Sequence, residues 1–360
     1  MPRYGICIKG HGGLYGKYTK FGNVTITDEN YWDFYTGNKN TIRYNHVYDL
    51  LKDSYDAGGI SLRRPGRHNT ISNNISSHDD GGGIKLYGQG TAIVSGNTIS
   101  DNIASGGGAG ISGYFYKPGS PFGTTISGNT IENNKAGRYE SYDGSFRLDG
   151  KGGGIKARSG IQVLNNVIRG NRASEGGGIA EGGTITGNII INNTGAGIYN
   201  SGGGLLLSNN FILNNSGVGI DAYVNQLTVT GNVIAGNQAG AMDIRGDGAE
   251  SITNNTIFGN TGSSIIDHYC FTNDTIEFKN NTIVGNNVTG DYAVQFRTHP
   301  SYGNGNILFN NNNIYDNGGT YELSNQSALG TADLNVENNY WGTTDISAIE
   351  AKWYDWNEDN

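Results

Sequence analysis

The chain has 360 residues, 60 of them glycine and five proline, with a formal net charge of −8 and a mean hydropathy of −0.47. The acidic balance argues against nucleic acid as a partner, and no apolar run approaches membrane-spanning length. So low a hydropathy would suit disorder, but the apolar residues return on a regular beat, which a disordered chain does not show.

The chain enters directly on Tyr4-Gly5-Ile6-Cys7-Ile8, with no amphipathic helix ahead. An open strand edge there is expected to meet an external cap or an oligomer contact at the N-terminal end, or else upstream sequence has been lost. No signal peptide is visible, so a mature or trimmed secreted form is expected. From Asn45 onward a short motif, apolar–x–(Asn/Gly/Tyr)–Asn–x–apolar, keeps returning. Clear copies are Val94-Ser95-Gly96-Asn97-Thr98-Ile99, Leu207-Ser208-Asn209-Asn210-Phe211-Ile212 and Phe278-Lys279-Asn280-Asn281-Thr282-Ile283. From Asn166 to Asn255 the steps are 22, 22, 22 and 23 residues. A second strand follows each asparagine strand, as in Gly82-Gly83-Ile84, Gly153-Gly154-Ile155 and Gly177-Gly178-Ile179.

Apolar residues two or three apart fit strand alternation and not a helix. One such repeat cannot bury its own inner face, so repeats must stack about 4.8 Å apart with strands pairing between coils. The expected fold is all-β: a single-stranded parallel β-helix of about 12 coils of roughly 22 residues each, forming one domain over 1–360. The asparagine beat is read as structural. Asparagine tolerates the left-handed region at tight corners, and an inward amide can bond its counterpart one coil away. Cys7 and Cys270 fall many coils apart and should not pair. Near the C-terminus, Asp345 is a helix N-cap, and Ile346, Ile349 and Trp353 fall on one helical face. A short capping helix is expected within 344–356, with Trp341, Trp353 and Trp356 packing the cap.

The Asn-x-Ile and Gly-Gly-Ile coils resemble the right-handed parallel β-helix repeat proteins of the pectate-lyase-like superfamily, in its secreted carbohydrate-active branch. The resemblance covers nearly the whole chain. It implies a right-handed solenoid and an extracellular or cell-surface location. It is unspecific for activity, because that superfamily holds lyases, hydrolases, epimerases, tailspikes and adhesins. Tyr44-Asn45-His46-Val47-Tyr48-Asp49 with Asp56-Ala57-Gly58-Gly59-Ile60 also resembles a segment of secreted β-helix glycoside hydrolases. Asn339-Tyr340-Trp341-Gly342-Thr343 resembles the closing segment of such proteins.

Function is expected where the repeat is interrupted. The step from Asn97 to Asn129 is 32 residues and that from Asn129 to Asn166 is 37. The extra residues, in loops 113–124 and 135–150, are rich in aromatics, including Tyr114, Tyr116, Tyr139 and Tyr142. These would wall a carbohydrate cleft, or else merely cover the solenoid. The coils from Asn166 to Asn255 read as plain scaffold. Aligning the coils puts Asp56, Asp80, Gly107, Lys151 and Glu175 in one column. Ser61, Lys85, Ser112, Lys156 and Ala180 follow in the next, then Arg63, Tyr87, Tyr114 and Arg158. Asp56 and Asp80, one coil apart, would raise one another's pKa, as a general acid and its partner require. Their alternative role is to cap the glycine corner or to hold calcium. Glu175 is the second-rank carboxylate.

The leading expectation is therefore a glycoside hydrolase on a polysaccharide or oligosaccharide. Asp56, Asp80 and Glu175 would do the chemistry. Arg63, Lys85, Tyr87, Tyr114, Tyr116, Tyr139, Tyr142 and Arg158 would bind the sugar. No cofactor is required, Ca2+ being the ion such acids could take. A uronate lyase or C5-epimerase would instead use Lys85, Lys156 or Arg158, with His46, His68 or His78 as accessory groups. A non-enzymatic adhesin-like solenoid is the third reading.

Overall fold

The computed structural model describes the backbone of short strands at 20–21, 24–26, 41–43, 45–47, 70–72 and 75–76. Beyond these it describes residues 83–87, 93–104, 106–114, 124–139, 146–157, 160–298, 306–326 and 334–355. The chain forms two compact units, Met1–Gly195 and Ala196–Asn360. Each is a parallel β-solenoid, and the expectation of an all-β coil is met in both.

In the first unit three sheets run up the coils, and each sends one apolar residue per strand inward. Ile84, Ile111, Ile155 and Ile179 are register partners in one sheet. Val94, Ile126, Val163 and Ile185 form the second column, and Ile99, Ile131, Ile168 and Ile190 the third. All are fully buried, each contributing about 2 kcal/mol through loss of water contact. Ala104, Ala109, Ala136 and Ala173 form a further buried cluster of small residues.

The second unit repeats the plan. Ile198, Ile220, Met242, Ile266, Val294 and Leu323 line its first sheet. Leu207, Val229, Ile252, Phe278 and Phe309 line the next, and Ile212, Ile234, Ile257, Ile283 and Ile314 the third. Two inward columns are broken by polar residues. Glu250 stands between Leu227 and Ile276, and His268 between Ile244 and Phe296. The two compensate one another: His268 Nε2 and Glu250 Oε2 are 2.6 Å apart, both side chains buried. The backbone yields room for the acid at Gly246, where a Cβ would overlap Glu250 Oε1.

The asparagine beat is a double ladder. Asn97 Nδ2 donates to Asn129 Oδ1 (3.0 Å), and that amide to Asn166 and then Asn188 (2.9 Å each). In the second unit the ladder runs Asn210, Asn232, Asn255, Asn281, Asn312 and Asn339. A second ladder, five residues along each coil, was not anticipated. It links Asn102, Asn134, Asn171 and Asn193, and separately Asn215, Asn237, Asn260, Asn286 and Asn317. Its last amide donates to Glu322 Oε2 (2.7 Å), which ends the series on a carboxylate. Each rung also receives a backbone N–H, as Asn232 N–H to Asn255 Oδ1 (2.9 Å) shows.

One expectation about these asparagines needs correction. The ladder residue is not the one in the left-handed region. That conformation belongs to the residue before it, as in Asn165 (φ 54°), Asn209 (φ 54°), Asn254 (φ 57°) and Gly231 (φ 66°). The corner needs φ > 0, which Asn, Asp and Gly tolerate best. The next side chain then points inward and bonds along the axis.

The sheet that carries the strand after each first-ladder asparagine counts seven strands in the first unit, from Lys20–Phe21 to Ile189–Ile191, and five in the second, from Phe211–Leu213 to Asn313–Tyr315. At the C-terminal end Asp345 caps helix Ile346–Glu350, its side chain accepting from the Ala348 N–H. The helix buries none of its residues, and Ile346 is exposed. Trp353 is not on a helical face. It begins strand Trp353–Asp355, which pairs with Tyr321–Gln326. An open edge of backbone groups is satisfied better by a strand than by extending a helix that buries nothing. Trp341 is buried as expected; Trp356 lies outside the described residues. Cys270 is a free, buried thiol, and burial pushes its pKa up. No helix among the described residues is long and apolar enough to cross a membrane.

Candidate functional site

Asp56, Asp80, Arg63, Tyr116, Tyr142 and Arg158 lie outside the described residues, as do 115–123 of the loop 113–124 and 140–145 of the loop 135–150. So do His68 and His78, while His46 is described only as backbone, in strand Asn45–Val47. The backbone register of the expected columns is nonetheless visible. Lys85 pairs with Ser112 and Tyr87 with Tyr114. Ser112 then pairs with Lys156, and Lys156 with Ala180. Gly107, Lys151 and Glu175 follow one another through isolated bridges. Tyr139 sits opposite Phe146 in a two-stranded antiparallel ribbon. Glu175 is ion-paired to Lys151 one coil away, at 2.7 Å. A partly exposed pair of this kind contributes little to stability.

In the second unit the corresponding face carries more chemistry than the sequence reading allowed. The coils taken as plain scaffold hold a column of acids just after the first inward residue of each strand. Asp221, Asp243 and Asp267 are direct register partners in three successive strands, preceded by Tyr199 and followed by Gln295. Two residues further along the same strands runs a second column, Tyr223, Arg245, Tyr269 and Arg297. Strand alternation sends both columns to the outer face, while Ala222, Ile244 and His268 point inward between them.

The two later aspartates are held differently. Arg297 grips Asp267 with two hydrogen bonds, Nε to Oδ1 (3.0 Å) and Nη2 to Oδ2 (2.5 Å). Such a fork is directional as well as attractive. The same guanidinium lies over the Tyr269 ring, 5.3 Å from its centre. Asp243 has a single contact from Arg245 Nη2 at 3.0 Å. Its pKa is raised above the ordinary 3.8: burial dominates, and the Asp267 carboxylate adds to it, against the opposing pull of Arg245 and Arg297. One acid is thus biased toward keeping its proton while its neighbour is held by a cation.

An aromatic wall borders the column. Tyr269 packs edge-on to Phe271 with centroids 4.6 Å apart, and Tyr223 meets the same ring at 6.5 Å. Among the described residues no cluster of three or more His, Cys, Asp or Glu side chains is arranged to hold a metal ion.

The acid column was within reach of the sequence. Continuing the column Ser112, Lys156, Ala180 gives Tyr199 and Asp221 on the next two coils and Asp243 on the third. The regular 22-residue spacing there offers no interruption to mark it.

Comparison with known proteins identifies one family. Residues 1–269 and 180–340 match the right-handed β-helix region. No curated protein and no solved structure matches the chain. With that match over most of its length, and parallel coils in both units, the chain belongs to the right-handed β-helix family.

Proposed function

We propose that the chain is a carbohydrate-cleaving β-helix protein, a glycoside hydrolase acting on an extracellular polysaccharide. Asp243 serves as the general acid and Asp267 as the base or nucleophile. The observation that carries this reading is the unequal pair itself: register partners on adjacent coils, one pushed toward the protonated form and the other gripped by Arg297. Glycoside hydrolysis needs such an inequality, because one carboxyl must give a proton while the other acts as an anion. Adjacent coils stand about 4.8 Å apart, near the roughly 5–5.5 Å that suits a covalent, retaining route. Tyr223, Tyr269 and Phe271 supply apolar faces for sugar rings, and Arg245 holds Asp243 in place.

A uronate lyase or epimerase fits this face less well. It needs a cation left over to neutralise the substrate carboxylate, and Arg245 and Arg297 are each engaged with an aspartate. A panel of neutral and uronic polysaccharides, assayed both for new reducing ends and for unsaturated products, separates the readings. Reducing ends without unsaturation support hydrolysis. Unsaturated product supports the lyase. Turnover by neither route favours a structural solenoid. The Asp56–Asp80 pair is tested beside it by Asp80→Asn, which should keep activity if Asp243 and Asp267 carry the reaction.

A further inference from the structure

The acid column does not stop at Asp267. Gln295, Ser324 and Tyr354 continue it over the next three strands. Ser324 is buried, and its register partner Tyr354 belongs to a cluster of three tyrosines. Tyr292 and Tyr321 are register partners with rings stacked 5.7 Å apart at 21°. Tyr354 meets them at 5.8 and 5.5 Å. Alongside, Gln295 Nε2 donates to Gln326 Oε1 (2.7 Å). The face therefore changes from charged to aromatic and amide within a few coils, roughly 14 Å along the axis at the usual strand spacing.

Charge limits what can lie there. Residues 196–360 contain four basic side chains, Arg245, Lys279, Arg297 and Lys352, against seventeen acidic ones. All four bases are ion-paired, with Asp243, Glu277, Asp267 and Glu322 respectively. A polyanion would meet a repulsive field with no cation left to receive it. Tyrosine clusters offer apolar ring surface with hydroxyl tips, and glutamine amides bond hydroxyls. That chemistry suits an uncharged sugar.

We propose that Tyr292, Tyr321 and Tyr354 form a binding subsite for neutral sugar units on the C-terminal side of the acids, so that the substrate is a neutral glycan lying along the solenoid axis. This rests on the carbohydrate-cleaving reading and narrows it. The test uses the full chain carrying Asp243→Asn, so that binding is read without turnover, and titrates neutral and uronic oligosaccharides by calorimetry. Tyr321→Ala should weaken neutral oligosaccharide binding by about tenfold, while Tyr321→Phe keeps it within a few-fold and both variants keep the parent's melting temperature. Unchanged affinity in Tyr321→Ala, or tighter binding of the uronic series, overturns the subsite. If the wild-type chain hydrolyses glycans but the tyrosine variants bind them normally, the subsite alone is lost. If neutral glycans bind in a Tyr321-dependent way but are never cleaved, the subsite stands and the hydrolase reading falls. If no oligosaccharide binds, both are overturned.

Discussion

Asp243 and Asp267 occupy the same position on adjacent strands, yet only Asp267 is clasped by a two-pronged arginine. Asp243 is pushed above the usual carboxylate range chiefly by burial, with its neighbour's charge adding to the shift. The asymmetry comes from Arg297, which lies one strand beyond Asp267 and two beyond Asp243.

The pH dependence follows from that shift. The folded chain holds a proton on Asp243 that the unfolded chain releases more readily. The resulting stabilisation is present at acid pH and is lost as pH rises from about 3.8 through the folded value. Asp243→Asn removes this loss. Its melting temperature should exceed the parent's near neutrality, with the difference shrinking as pH falls below about 4. Activity of the parent should decline on an alkaline limb lying above the ordinary aspartate range. A limb at the ordinary value would mean that Asp243 is not the acid.

Arg297 should matter through Asp267. Arg297→Lys keeps the charge but not the fork. The rate constant should drop by about 10–100-fold through misplacement of the carboxylate, with little change in melting temperature because the pair is partly exposed. An unaltered kcat would detach Arg297 from the site.

The buried Glu250–His268 pair gives a stability prediction of opposite signs. Removing one partner, as in Glu250→Leu, leaves the other buried and unpaired and should cost about 3–5 kcal/mol. The double change Glu250→Leu with His268→Phe restores the apolar columns of Leu227 and Ile276, and of Ile244 and Phe296. It should be neutral or stabilising. Denaturant unfolding of the singles and the double closes the cycle; additive losses would show that the two side chains do not act as a pair.

Each ladder amide is bonded on both sides. Asn232 Nδ2 donates to Asn255 Oδ1 (3.0 Å) and to the Leu207 carbonyl (3.1 Å), while its own Oδ1 accepts from Asn210 (2.9 Å). Asn232→Ala strands buried donors and acceptors in two neighbouring coils and should cost about 2–4 kcal/mol. A loss below about 1 kcal/mol would make the ladder ornamental to stability.

The fold was legible because burial imposes periodicity. Ile99, Ile131, Ile168 and Ile190 must face inward at every turn, and that demand is written directly in the sequence. The first asparagine ladder was legible for the same reason. The second, beginning at Asn102, was hidden by its company: Asp101, Asn133 and Asn192 precede ladder residues and look like them, but serve the corner through positive φ. Trp353 fits a helical face by local pattern yet begins a strand, because that pattern does not show the edge at Tyr321–Gln326 with which it pairs. The acids were harder still. Outward positions carry no burial signal, so Asp221, Asp243 and Asp267 are only weakly marked in the sequence, and register is needed to reveal Arg297 beside them.

The most direct test of the catalytic assignment is the single-turnover rate of glycosidic bond cleavage by purified Asp267→Asn, with Asp243→Asn and Asp80→Asn measured in parallel on the best substrate of the panel. The account predicts that both second-unit variants lose at least about a thousandfold while Asp80→Asn cleaves at the parent rate. Cleavage by Asp267→Asn at a rate near the parent's, in a folded chain, would contradict it.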